Sequence, residues 1–111
     1  MAQPALISLH GITTEPKVVG DMVRLAVTFT SASSGQKVDP EIVRFRYLSP
    51  AEHTATTLVY DTDEELVRDS AGLYHTNLPL DEAGVWPIRW EADDDYVGAT
   101  EFLITVAPSR F

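Results

Sequence analysis

The stretch LYHTNLPLDEAGVWPIRWEA, residues 73–92, decides the fold. Tyr74, Thr76, Leu78 and Leu80 alternate with polar or smaller residues, and Trp86, Ile88, Trp90 and Ala92 do the same after a break at Asp81-Glu82-Ala83-Gly84. A period of two places one face of each run against a core, so the stretch predicts two strands joined at an acidic, glycine-containing corner.

The same period extends outward in both directions. In DMVRLAVTFT (21–30), Val23, Leu25, Val27 and Phe29 alternate with Arg24, Ala26, Thr28 and Thr30. EIVRFRYLS (41–49) sets Val43, Phe45 and Tyr47 against Arg44 and Arg46 and stops at Pro50. TATTLVY (54–60) and LVRD (66–69) are shorter strands, and TEFLITVAP (100–108) faces inward with Phe102, Ile104 and Val106. SASSGQKVDP (31–40), DTDEE (61–65), Ser70-Ala71-Gly72 and DDDYVG (93–98) read as connections. Short strands at this spacing predict an all-β domain, an antiparallel sandwich or barrel.

Bulk properties bound what such a domain does. The chain has 111 residues, one domain's worth, with 44% hydrophobic residues. Its net charge of −9 repels polyanions, so nucleic acid is not an expected partner. It has no cysteine, which excludes a disulfide framework and a thiolate zinc site. No apolar run reaches the roughly 20 residues of a membrane-spanning helix, and MAQPALISLHGITTEPK lacks the basic and apolar regions of a signal peptide. The expectation is a complete product made in the cytoplasm, with no membrane contact. Residues 21–111 form the domain, while residues 1–20, broken by Pro4, Gly11, Pro16 and Gly20, are either a first strand or an arm lying on a neighbour.

The corner has the form acid-x-small-x-aromatic-x-core: Glu82, Gly84, Trp86, Ile88, with Trp90 as a second inward aromatic. It resembles the corner that leads into strand F of immunoglobulin-like domains, where an aromatic two residues before a core position bonds back to the chain. Trp86 stands in the tyrosine's place, and its indole N–H donates but does not accept. The strands at 22–30, 42–48, 54–60, 66–69, 73–80, 85–92 and 100–107 follow the order B, C, C′, D, E, F and G. The resemblance implies an immunoglobulin-like antiparallel β-sandwich of about seven strands. Pro87 falls inside the expected strand F, which calls for a bulge there; an unbroken central strand through Pro87 would make this order wrong.

VGDMVRLAVTFT, VRDSAGLYHTNLPLDEAGVWPIRWEA and EFLITVAPS also resemble segments that recur, in this order, in small bacteriophage structural proteins with immunoglobulin-like domains. That resemblance implies a non-enzymatic virion component on the outer capsid surface. Its partner would be the major capsid protein or another virion protein, with self-association on the particle. The alternative is a neck, tail or fibre-associated adhesion module that binds host-surface glycan, for which Tyr96 is the aromatic outside the core pattern.

No catalytic constellation stands out. His10, His53 and His75 lie 43 and 22 residues apart, without metal-ligand spacing. The acidic runs 61–65 and 93–95 offer oxygen ligands for calcium but lack an EF-hand pattern. They read as solvated turns, and no cofactor or metal is expected. The remaining candidate is a docking face for an acidic partner, formed by Arg44, Arg46 and Arg89, with Glu91 beside them and Leu103 and Pro87 adding apolar surface. Cross-strand pairing of these arginines with carboxylates is the favoured reading of their charge.

Overall fold

A computed structural model describes residues 2–10 and 17–111. Gly11 and Pro16, two of the breaks in the N-terminal segment, lie outside the described residues. The described chain is all-β, with strands β1 (Gln3–His10), β2 (Lys17–Val18), β3 (Met22–Ser31), β4 (Ile42–Tyr47), β5 (Thr56–Val59), β6 (Val67–Ser70), β7 (Leu73–Pro79), β8 (Gly84–Asp93) and β9 (Tyr96–Ala107). They form one curled sheet in the order β5-β4-β8-β9-β1-β3-β7-β6, with β2 on β9.

The expectation of a purely antiparallel arrangement is corrected at the N-terminus. β1 pairs antiparallel with β3, from Ala5↔Ser31 to His10↔Ala26, but parallel with β9 at Gln3↔Tyr96 and Pro4↔Val97. β2 pairs parallel with β9 at Lys17↔Val106 and Val18↔Ala107. A strand placed between two neighbours that run in opposite directions must be parallel to one of them, so the sheet is mixed. Gly98 marks where β1 turns away from β9: a Cβ there would lie 2.7 Å from the Ala5 carbonyl oxygen.

The residues that alternate in the sequence are those the curl buries. On β3 these are Val23, Leu25, Val27 and Phe29, and β7 contributes Tyr74, Thr76 and Leu78. Facing them are Val43 and Phe45 of β4, Trp86, Ile88, Trp90 and Ala92 of β8, and Val106 of β9. Aromatic contacts join neighbouring strands within each half of the sheet. Phe45 of β4 meets Trp90 of β8 at 4.8 Å, and Phe29 of β3 meets Tyr74 of β7 edge-on at 5.5 Å. Tyr60, just beyond β5, meets Tyr74 of β7 edge-on at 5.2 Å and so spans the core.

Pro87 produces no bulge. β8 pairs with β9 without a register shift from Gly84↔Val106 to Ala92↔Gly98. The Leu48 N–H donates to the Pro87 carbonyl at 3.1 Å, so both backbone groups of Pro87 face the β4 side. The missing N–H therefore falls where β4 has ended at Tyr47, and the β9 ladder loses nothing. The expectation that an unbroken strand through Pro87 would rule out the order is corrected: β8 is unbroken and lies between β4 and β9, because the proline's missing N–H falls beyond the end of β4.

The acidic stretch 93–98 is mostly strand rather than loop. β8 runs to Asp93 and β9 begins at Tyr96, with Asp94-Asp95 between them; the last β8–β9 pair, Ala92↔Gly98, centres the turn on Asp95. Asp94 takes the left-handed conformation, φ 79°, and the Asp93 and Asp95 side chains accept the N–H groups of Asp94 and Tyr96. Aspartate tolerates that conformation by such local bonds, which is why it closes this hairpin.

Thr76 is 1% exposed, and its hydroxyl has no hydrogen-bond partner among the described residues. Burying an unpaired hydroxyl costs about 1–3 kcal/mol. Thr76→Val should therefore stabilise the domain by about 1 kcal/mol, read as a higher melting temperature in calorimetry. An unchanged or lower melting temperature would mean that the hydroxyl is satisfied in solution.

Candidate protein-docking face

The outward side chains of β4, β8 and β9 make one continuous charged surface. Strand alternation sends Val43 and Phe45 inward and Arg44 and Arg46 outward; on β8 it sends Trp86, Ile88 and Trp90 inward and Pro87 and Arg89 outward. The register then sets Arg44 opposite Glu91, Arg46 opposite Arg89, and Arg89 opposite Glu101. Two arginines face each other, and carboxylates on either side resolve the conflict.

Glu91 is the hub. Arg44 donates from Nη1 to its Oε1 at 3.1 Å, Arg46 donates from Nη1 to Oε2 at 3.4 Å, and Arg89 Nε donates to Oε2 as well. Arg44 also reaches Asp93 at 3.3 Å, and Arg89 Nη1 reaches Glu101 Oε2 at 2.6 Å. Glu91 is 9% exposed beneath these guanidinium groups. Its burial opposes the charge, but the bonds from Arg89, Arg44 and Arg46 outweigh it and lower its pKa below the ordinary glutamate value. The bonds to Glu91 raise the pKa of Arg89, helped by Glu101, and that of Arg44, helped by Asp93. The structure thus places Arg44, Arg46 and Arg89 together and engages all three in cross-strand pairs.

Leu103 lies beside this network on β9, opposite Pro87, with 66% of its surface exposed. A groove of about 360 Å³ opens here, lined by Leu48, Ala55, Pro87 and Leu103, with Arg46 and Glu101 among its other residues.

The corner stands at the end of the same strand. The Trp86 indole N–H donates to the Glu82 carbonyl at 3.0 Å, four residues back along the chain. Gly84 has φ 132°, and a Cβ there would meet the Pro50 ring at 2.8 Å. Ile88 and Trp90 are buried below, and the Trp90 N–H has no partner among the described residues.

The other candidates are used locally. His75 Nδ1 lies 2.8 Å from Asp69 Oδ2, and His10 Nε2 lies 2.7 Å from the Thr28 hydroxyl, while His53 is exposed in the β4–β5 connection. Asp63 accepts the Val59 N–H at 2.8 Å, so this member of the first acidic run closes its own turn. Among the described residues, no three histidine or carboxylate side chains are gathered in metal-binding proximity.

A cluster around Asp39 is absent from the sequence reading. Asp39 receives two bonds from Arg68, at 2.9 and 3.0 Å, one from the Gly72 N–H at 2.9 Å and one from the Tyr74 hydroxyl at 3.0 Å. The Arg68 bonds, with those of Gly72 and Tyr74, outweigh partial burial and hold its carboxyl at about 2. Desolvation and the bond to Asp39 push the Tyr74 phenol up. The partners lie 29 to 35 residues from Asp39, a separation that carries no sequence signal. Gly72 is required there because a Cβ would sit 2.8 Å from the Phe29 carbonyl oxygen at φ 75°.

No family model matches this chain, and no curated protein matches it.

The two depressed carboxyls make stability depend on pH. Each favours the folded state above the ordinary carboxylate pKa, about 4, and that contribution is lost as pH falls toward the folded values. Asp39→Asn should cost about 1–2 kcal/mol at pH 7 and flatten the acid limb of stability between about pH 4 and pH 2, measured by urea unfolding across pH. Glu91→Gln leaves three arginines facing one another and should cost about 1–3 kcal/mol at pH 7, with part of the loss recovered in high salt. A salt-independent loss would assign Glu91 a packing role instead.

Proposed function

We propose that this chain is a non-enzymatic, immunoglobulin-like structural protein of a bacteriophage virion, bound to the outer capsid surface as a decoration or cement protein. The strand order carries the fold part of this reading. In immunoglobulin letters the observed sequence of neighbours is C′-C-F-G-A-B-E-D, with the first strand shared between B and G. The mixed pairing of β1 fits a first strand that leaves one layer of a sandwich for the other. The Trp86–Glu82 bond gives the turn into β8 the tied-back aromatic of the immunoglobulin corner.

The virion part rests on the resemblance of residues 19–30, 67–92 and 101–109 to recurring segments of phage structural proteins. A domain of this fold hosts many roles, so the resemblance, not the fold, selects among them. The acidic surface supports protein rather than nucleic-acid binding, and the face that joins Arg44, Arg46 and Arg89 to Leu103 is the surface proposed for self-association on the particle.

Quantitative mass spectrometry of purified particles from the source tests this directly. A ratio to the main shell protein near one, or near a simple fraction of it, is the expected result. A few copies per particle would move the protein to the neck, tail or a fibre, and its absence would overturn the virion reading.

A further inference from the structure

We propose that the outer face of β5, β4, β8 and β9 is self-complementary and receives a second copy of this chain about a two-fold axis running along β8. This rests on the geometry of the face alone and not on attachment to a shell. Two rows of side chains cross the four strands. The first holds Thr57, Arg46, Arg89 and Glu101, placed side by side by the ladder registers. The second, one step along the outward face, holds Ala55, Leu48, Pro87 and Leu103, which line the groove.

An axis along β8 exchanges the strands that flank it. Leu103 on β9 of one copy then lies over Leu48, just beyond β4, of the other, and Glu101 lies over Arg46. The exposed leucine enters the apolar row of its partner at two equivalent places, as an isologous interface requires. In the charged row the same operation sets Arg46 against Glu101, while Arg89, held by Glu91 and Glu101 of its own chain, meets its copy on the axis. The Arg46 side chain is 42% exposed with one ion-pair contact at 3.4 Å among the described residues, and the Glu101 side chain is 66% exposed. Each has hydrogen-bonding capacity left for the other.

Charge identifies the occupant. Arg44, Arg46 and Arg89 are balanced on this face by Glu91, Asp93 and Glu101, so the chain's net −9 resides elsewhere. Two copies of an acidic chain repel except where such a balanced face meets its own image. A strongly acidic or strongly basic partner would find half of these side chains unfavourable. The four strands, of 4, 6, 10 and 12 residues and about 4.8 Å apart, present about 500 Å² per copy, the size of a weak or transient interface. The expected dimer is therefore weak and reversible and forms where the chain is concentrated.

Sedimentation of the full chain from about 1 to 500 µM should show a monomer–dimer equilibrium. Leu103→Asp, at an exposed position, should keep the melting temperature and weaken dimerisation about tenfold or more. Arg46→Glu and Glu101→Arg should each weaken it, and the double variant should restore it, because the two-fold sets these positions against each other. A wild-type chain that stays monomeric throughout would overturn the proposal. So would a dimer indifferent to Leu103→Asp, or a double variant no better than the single ones when near-ultraviolet dichroism shows all of them folded. None of these results alters the copy number in particles, so the two readings fail separately.

Discussion

The curl of the sheet depends on one strand shared between two neighbours of opposite direction. Among the described residues, the hydrogen-bonded path from β3, β7 and β6 to β9, β8, β4 and β5 runs through β1. β1 is antiparallel to β3 over six residue pairs but parallel to β9 over two. The longer ladder fixes the strand to one half, and the short one sets where the other half begins. With Gly98 admitting the Ala5 backbone, the halves turn toward each other and Trp86, Trp90, Phe45 and Tyr74 share one core. Without that junction each half would leave an apolar face open to water, and burial of those faces is the main term favouring the folded chain.

The outer surface has a different organising constraint, the placement of like charges on neighbouring strands. Arg46 and Arg89 are directly opposed, an arrangement that destabilises a ladder when nothing offsets it. Glu91 lies one step along the same face and bonds both, together with Arg44, so one carboxylate turns three potential repulsions into a lattice. The lattice also fixes the directions of long, flexible side chains whose ordering is otherwise costly. A surface with its side chains already ordered loses less on meeting another protein, which is the physical reason for reading this face as a site of association.

The sequence made the inner face legible and left the connections between halves obscure. Period-two runs mark Val23 to Phe29, Val43 to Phe45 and Trp86 to Ala92, because burial on one face of a strand leaves a local pattern. Parallel pairing of Gln3–Pro4 with Tyr96–Val97 leaves none, since the partners lie 93 residues apart. Pro87 misleads for a related reason: a proline in a strand announces a missing N–H, but not which neighbour that N–H would have faced. The outcome turns on β4 ending at Tyr47, a property of another strand. Composition assigns Asp94 and Asp95 to a loop, whereas the left-handed φ of Asp94 makes them a tight hairpin turn. The arginine face is visible because alternation exposes Arg44, Arg46 and Arg89 together; the groove beside it is not, because it depends on where Leu48 and Ala55 meet.

The two lowered carboxyls show how perturbed groups arise from architecture. Asp39 and Glu91 each gather donors from distant strands, and each is held by arginine. Perturbed carboxylates are often signs of chemistry when they line a cleft with an unpaired partner. Here every donor belongs to a strand or turn whose position the bond fixes: Arg68 on β6, the Gly72 turn and Tyr74 on β7 for Asp39, and β4 and β8 for Glu91. Asp39 ties the β3–β4 connection to the β6–β7 hairpin, and Glu91 ties β4 to the middle of its own sheet. Their perturbation therefore follows from holding connections and strands in register. The Glu91 bonds also keep the outer rows aligned, so the geometry of the proposed docking face is inherited from them rather than built separately.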